Sequence, residues 1–240
     1  EWIEGGGITT PLGFVAGGAY AQIKTYGADP RMDVGLLAAT GPCTVAGVFT
    51  RNQVVGESVT WDRGVLAAGR PMRGLVCNSG NANTVTGDQG TRDCARMAAI
   101  AAEVLGASPE EILVASTGVI GRPMPMDKLE QGVRAIAPTA EGGYLFTRAI
   151  MTTDTREKSC AVRVQAGGLT YHVGGCAKGS GMIHPDMGTM FAFITTDAPA
   201  DRGWLQATLR AITDRTFNMV DVDMDTSTSD TALLFASGAA

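Results

Sequence analysis

Gly174-Gly175-Cys176-Ala177-Lys178-Gly179-Ser180-Gly181-Met182-Ile183-His184-Pro185-Asp186-Met187-Gly188-Thr189 runs directly into Met190-Phe191-Ala192-Phe193-Ile194. The second part is a near-continuous apolar run and predicts a strand over 189–195 that is buried on both faces. The first part reads as a glycine-rich loop holding one lysine, in a chain whose lysines are Lys24, Lys128, Lys158 and Lys178. A lysine among glycines and apolar residues is poorly explained as solvated surface. A doubly buried strand needs cover on both sides, so the flanking sequence must supply layers. Strands are predicted over 45–50, 75–77 and 112–115. The 75–77 strand leads into the loop Asn78-Ser79-Gly80-Asn81-Ala82-Asn83, and the 112–115 strand ends in Ser116-Thr117-Gly118. A hairpin over 161–164 and 169–173 turns at Ala166-Gly167-Gly168. An Ala-rich helix covers 91–105 and stops at Gly106. Ser108-Pro109-Glu110-Glu111 has the capping-box pattern of a short helical turn. A helix over 126–136 aligns Leu129, Val133 and Ile136, with Pro138 closing it, and one over 204–217 aligns Trp204, Leu205, Leu209 and Ile212. Strands and helices mix throughout, which predicts an α/β (α+β) fold of layered sheets and helices.

Composition narrows the function. The 240 residues are 45% hydrophobic and 18% charged, as in a globular chain. Acidic residues number 24 against 19 basic, a net charge of −5 without a basic stripe, which argues against a nucleic-acid partner. No apolar run approaches the roughly 18 residues that span a bilayer. Five cysteines at 43, 77, 94, 160 and 176 form no C-x-x-C. A zinc site and a disulfide framework are therefore not expected, and a reducing, cytoplasmic setting fits best. The chain opens on Glu1, so sequence upstream is expected. It stops at Ser237-Gly238-Ala239-Ala240, just after an apolar run, where a complete domain rarely ends.

His172 falls in the predicted hairpin and reads as structural, and His184 lies in the loop before Thr189. A general base other than histidine is therefore expected if the protein is an enzyme. Asp221, Asp223 and Asp225 alternate as on one side of a strand. An EF-hand starting at Asp221 is excluded by Thr226 and Ala232 where Gly and Glu are required. A bare Asp cluster could bind Mg²⁺, but turn caps toward Thr226 to Ser229 are the commoner use. No phosphate-binding loop precedes Lys178.

Thr189 offers a different chemistry. A threonine hydroxyl is a weak nucleophile that needs an adjacent base. A free α-amino group titrates at about 7.7–8.0 and suits that task. A threonine at a new N-terminus would carry both groups, provided the Gly188–Thr189 bond is cut. Glycine at 188 permits the close approach such a cut needs. Both self-cleavage and acyl transfer pass through an oxyanion, for which Ser116-Thr117-Gly118 is a plausible donor loop. On residue logic alone this reading is open beside that of a tight loop with an ordinary lysine.

Several longer motifs sharpen it. They are Val48-Phe49-Thr50-Arg51-Asn52, residues 78–83 with Thr86-Gly87, Ala115-Ser116-Thr117-Gly118-Val119-Ile120-Gly121, Ala149-Ile150-Met151-Thr152-Thr153-Asp154-Thr155, the segment 178–190, and Asp225-Thr226-Ser227-Thr228-Ser229-Asp230-Thr231. In this order they resemble the ornithine acetyltransferase (glutamate N-acetyltransferase) family of arginine biosynthesis. The resemblance implies a layered sandwich with its own topology, similar to N-terminal-nucleophile enzymes. It implies a single catalytic domain over 1–240, self-cleaved into 1–188 and 189–240, with the family's remaining C-terminal part absent. It places the nucleophile at Thr189, the cut at Gly188–Thr189, oxyanion donors at Thr117 and Gly118, and substrate contacts at Thr152, Lys178 and Thr189. It implies acetyl transfer from N2-acetylornithine to glutamate through an acetyl-threonine, with acetyl-CoA as donor in some members, no cofactor, and an α2β2 heterotetramer. Glycine stands here where the family has alanine before the cut. The alternatives are a secondary-metabolism paralogue with another acceptor, an N-terminal-nucleophile amidase or aminopeptidase, and an uncleaved non-catalytic module.

Overall fold

A computed structural model describes residues 1–24, 31–184 and 190–240. In chain order these form β1 (Phe14–Ala19), β2 (Val34–Phe49), α1 (Glu57–Ala67), β3 (Met72–Asn81), α2 (Gly87–Leu105), β4 (Ile112–Val119), α3 (Met126–Arg134), α4 (Gly143–Ile150), β5 (Lys158–Ala166), β6 (Leu169–Lys178), β7 (Phe191–Thr196), α5 (Arg202–Arg215) and β8 (Thr231–Ala236). The strands follow the order β4-β3-β2-β8-β7-β6-β5, with β1 also paired to β2.

The 16-residue β2 joins two sheets. Its first half pairs antiparallel with β1 and β3, and residues 44–49 pair antiparallel with β8. The register slips between Ala38 and Cys43, the kind of irregularity that lets a strand pass from one sheet to another. The β3–β4 and β7–β8 pairs are parallel, and the others are antiparallel. The sandwich expected from the sequence is therefore present as an open, mixed arrangement.

Period-two alternation sorts the side chains into layers. Leu37 and Ala39 of β2, Leu75 and Cys77 of β3, Leu113 and Ala115 of β4, Phe191 and Phe193 of β7, and Leu233 and Phe235 of β8 share one central core. α4 adds Phe146 to it, whose ring lies 5.8 Å from that of Phe193. On the other face, Val34, Leu36, Val76, Ile112 and Val114 meet α2 and α3. Ala46, Leu234 and Ala236 meet Leu205 and Leu209 of α5. Each of the larger of these side chains, the Val, Leu, Ile and Phe, contributes roughly 1.5–3 kcal/mol of burial. β7 is covered on both sides apart from partly exposed Ile194, as its apolar run predicts.

Several local expectations change. The segment 174–178 is not loop but the end of β6. Its glycines serve close approach, since a Cβ on Gly174 would lie 2.1 Å from the Gly7 carbonyl oxygen. The expected loop at Asn78 is strand as far as Asn81, because β4 runs alongside it. Residues 45–49 are only the far part of β2, and Thr50 lies just past its end. In α5, Trp204 is 62% and Ile212 47% exposed, while Leu205, Leu209 and Thr213 are buried. The core thus selects the 205/209/213 row of the helix. Asp221, Asp223 and Asp225 lie outside regular structure and not on a strand. Asp223 accepts the N–H groups of Met182 and Ile183 at 2.7 and 2.9 Å. The capping box at Ser108 and Glu111 forms as predicted.

Candidate active site

The same alternation that builds the core brings its ends together. Cys176 of β6 faces the central core, and so does Lys178 two residues on. Leu113 and Ala115 of β4 face it, and so does Thr117. At this end of the sandwich the Lys178 Nζ donates to Thr117 Oγ1 at 2.8 Å, across a separation of 61 residues. Lys178 is 2% exposed and stands 5.1 Å from the Phe191 ring centroid. Burial lowers its pKa to about 8, partly opposed by the charges of Asp154 and Asp230. Because Thr117 accepts from the ammonium, its own O–H remains available to donate.

Gly118 follows with φ +132°, and a Cβ there would lie 2.4 Å from the Gly80 carbonyl carbon. Only glycine lets the ends of β3 and β4 close on each other in this way. Thr117 and Gly118 line a cavity of about 380 Å³ together with Val119, Ile120, Thr152, Thr153, Gly181, Met182 and residues 227–229. Three of the residues singled out from the sequence, Thr117, Gly118 and Thr152, thus share one cavity, and Lys178 bonds its wall. Gly188 and Thr189 lie outside the described residues. The chain on either side of them reaches this region: Met182 lines the cavity, and Phe191 pairs with Lys178.

Asp154, which no local sequence pattern marks as functional, ties the cavity together. Its buried carboxylate accepts Lys158 Nζ at 2.5 Å, the Gly179 N–H at 2.8 Å and the Thr152 N–H at 3.2 Å. Burial alone would raise its pKa, but these donors outweigh burial and hold it below the usual value. It therefore couples the Thr152 turn to the residue after Lys178. Thr153 and Ser180 hydroxyls add a 2.6 Å bond between the same segments. Asp154 lies within the 149–155 motif, but its Gly179 partner is 25 residues away, so no local pattern marks its task. Asp230 is the second such residue. Burial raises its pKa to about 7, against the pull of the Met190 N–H and of Lys178.

Both histidines stand apart from this wall. His172 Nδ1 is 2.8 Å from Asp197 Oδ2, and its N–H donates to the same carboxylate. His184 Nδ1 lies 3.6 Å from Asp221, too far for a hydrogen bond. The described residues contain no group of three or more His, Cys, Asp or Glu side chains that could hold a metal ion. The five cysteines are unpaired. None of the described helices is long and apolar enough to cross a membrane.

This open, mixed α/β sandwich is also seen in an L-aminopeptidase D-Ala-esterase/amidase from Ochrobactrum anthropi, described as a variant of the Ntn hydrolase fold. The TM-score is 0.57 at 14% identity, a likeness of fold alone. Much nearer are two solved structures. An arginine biosynthesis bifunctional protein ArgJ from Bacillus halodurans has a TM-score of 0.71 and 35% identity, over 79% of this chain and 97% of that one. An ornithine acetyltransferase complexed with ornithine, from Mycobacterium tuberculosis, has a TM-score of 0.68 and 36% identity, over 77% and 97%. In sequence, the arginine biosynthesis bifunctional protein ArgJ of Symbiobacterium thermophilum is 53% identical over 242 residues, covering 100% of this chain and 60% of its own length. Its counterpart in Dehalococcoides mccartyi is 44% identical over 235 residues, covering 98% and 58%. The model of the ArgJ family matches residues 15–240. The chain belongs to the ArgJ family, and it spans about 60% of the length of such curated relatives.

Proposed function

We propose that this chain is the catalytic portion of an N-terminal-threonine acetyltransferase that moves an acetyl group from N2-acetylornithine to glutamate. The observation that carries the reading is the Lys178–Thr117 contact at a cavity that also gathers Gly118 and Thr152. It is supported by family membership and by the ornithine in the related structure.

The reaction begins with self-cleavage. The Thr189 hydroxyl oxygen attacks the Gly188 carbonyl carbon, the peptide C–N bond breaks, and the hydroxyl proton ends on the nitrogen. Water then hydrolyses the Gly188 ester, giving a carboxylate at 188 and a free α-amine at 189. That amine accepts the hydroxyl proton as Thr189 attacks the acetyl carbonyl of acetylornithine. Ornithine leaves as the amine after receiving a proton, and an acetyl ester remains on Thr189. Glutamate's amine attacks the ester and restores the hydroxyl. In each tetrahedral intermediate the Thr117 O–H and the Gly118 N–H donate to the oxyanion. One such donor is worth about 2.7–4 kcal/mol in acyl-transfer enzymes. Lys178 and the Thr152 hydroxyl hold the α-carboxylate that acetylornithine and glutamate share. No step calls for a cofactor. Acetyl-CoA as a second acetyl donor, an α2β2 assembly of the cleaved chains and a cytoplasmic location belong to the same proposal.

Intact mass and N-terminal sequencing of the full-length protein test the cut. Fragments should begin at Thr189, and label from acetyl-labelled acetylornithine should remain attached to that residue. Thr189→Ala should abolish both cleavage and transfer. A variant that still transfers acetyl would refute the nucleophile, and release of free acetate in place of acetylglutamate would turn the reading to an amidase.

A further inference from the structure

Lys24 is a second buried lysine, and the steps above make no use of it. It is 6% exposed, and its Nζ donates to the Met32 carbonyl at 2.8 Å. Asp33 and Asp154 act on it through their charge, while the Asp33 carboxylate itself accepts the N–H groups of Ala21, Ile23 and Lys24. The ammonium therefore gives one of its three N–H groups to a backbone carbonyl, and among the described residues no carboxylate accepts the others. Burying such a charge is costly, and an uncharged side chain of similar length would fill the space without that cost. Lys24 lines a cavity of about 500 Å³ that also gathers Arg31 and Arg148 with Asp154 and Glu157. Both carboxylates are engaged. Asp154 accepts Lys158, Gly179 and Thr152, and Glu157 accepts the Tyr144 hydroxyl at 3.2 Å and lies 3.5 Å from Arg148 Nε. The cations outnumber them, so the cavity favours an anion.

This cavity adjoins the candidate active site. Thr152 and Thr153 line both it and the cavity that holds Thr117 and Gly118. A Cβ on Gly80 would lie 3.0 Å from Lys24 Cγ, and Gly80 is the partner of Gly118 across the β3–β4 pair. Lys24 is also near enough for its charge to bear on Lys178. Two buried ammonium groups thus serve two cavities that share the Thr152–Thr153 turn. We propose that the Lys24 cavity is a second carboxylate subsite, which takes the side-chain carboxylate of the acceptor while Lys178 and Thr152 hold its α-carboxylate. The inference rests on the reading of the chain as an acetyltransferase to glutamate. Glutamate carries two carboxylates on one short chain, and one buried lysine answers each. Acetylornithine ends its side chain in an ammonium, for which Glu157 in the same cavity is the complementary charge. Lys24 therefore acts in specificity, favouring a dicarboxylate acceptor over one with a neutral side chain.

The test measures acetyl transfer from acetylornithine to glutamate and to glutamine by full-length wild type, Lys24→Met and Lys24→Gln, with thermal melting of each. Glutamine has nearly the shape of glutamate and lacks the second carboxylate. Wild type should use glutamate with a kcat/KM roughly tenfold or more above that for glutamine, the size expected for a hydrogen bond to a charged group. Equal use of the two acceptors overturns the proposal without any variant. Lys24→Met should raise KM for glutamate roughly tenfold or more. It should bring the glutamate-to-glutamine ratio close to one and leave KM for acetylornithine no higher. Lys24→Gln keeps a donor for the Met32 carbonyl and should show the same loss of preference. A lysine that served folding alone would lower kcat/KM for both acceptors alike and leave their ratio unchanged. That outcome overturns the proposal, as does failure of both variants to fold. Wild type that transfers acetyl to neither acceptor instead overturns the reading beneath it.

Discussion

Lys178 shows how one buried charge is tolerated and used. An isolated ammonium out of water would be prohibitive, yet this one donates to Thr117, lies over the Phe191 ring and faces the carboxylates of Asp154 and Asp230. Under the proposed function its remaining N–H groups are the grip for a substrate carboxylate. Lys178→Met keeps the apolar stem and removes that grip, so KM for acetylornithine should rise roughly tenfold or more, the usual worth of a hydrogen bond to a charged group. Self-cleavage should change far less. Steady-state kinetics on the processed protein check this, and an unchanged KM would remove Lys178 from substrate binding. The residue's burial was legible in advance, because a lone lysine among glycines and apolar residues makes poor surface. Its partner was not, because Thr117 lies 61 positions away and only strand order brings the two together.

Among the elements, the β3–β4 edge bears most directly on the cavity. The two strands pair in parallel through Gly80 and Gly118, with the register shifting just beyond, and at these glycines the backbone approach leaves no room for a side chain. In Gly118→Ala the new Cβ would meet the Gly80 carbonyl carbon at 2.4 Å and the Asn81 nitrogen at 2.6 Å, at a φ of +132°. Backbone cannot swing aside as a long side chain can, so the strand ends must separate. Denaturant unfolding should show a loss of about 2–4 kcal/mol, in the range of strained-backbone and overpacking changes. Transfer should fall with it as the Thr117 wall moves. A loss under about 1 kcal/mol would mean that the strand ends are not packed as described. Elements with strong local signals were read correctly in kind: the Ala-rich helix that became α2, the Ser108 turn, the hairpin at Gly167-Gly168 and the doubly buried β7. Those misread were decided by their neighbours. Gly174 to Lys178 reads as loop because of its glycines, but β5 and β7 pair with it on both sides. Trp204 and Ile212 read as core, but the sheet accepts a different row of α5.

For the whole molecule, Asp230 and Lys178 make stability depend on pH with opposite slopes. Asp230 titrates at 3.8 when unfolded and about 7 when folded, so the folded state holds the proton more tightly. Its stabilising contribution is complete below 3.8 and is lost as pH rises through 7. Lys178 titrates at 10.5 unfolded and about 8 folded, so the folded state holds that proton less tightly. Stability suppressed below pH 8 returns between 8 and 10.5. Asp230→Asn should therefore raise the melting temperature relative to wild type at pH 7.5, and the difference should shrink toward pH 4. Calorimetric melts across that range check it, and a constant difference would mean that the carboxyl group does not titrate between the two states.

Read alone, the amino-acid order was enough for the layered α/β class, for the family resemblance and for the candidate set of Thr117, Gly118, Thr152, Lys178, Gly188 and Thr189. The class follows from local periodicity and turn chemistry, and the candidate set is what the resemblance carried by contiguous motifs implies, all of which a linear text preserves. Only the tertiary structure decided that Lys178 bonds Thr117, that Asp154 ties the Thr152 turn to Gly179, and that Asp230 clamps the entry to β7. Each of those contacts joins residues brought together by sheet order, and strand pairing between distant segments is set by the summed packing of the whole core, which no local stretch encodes.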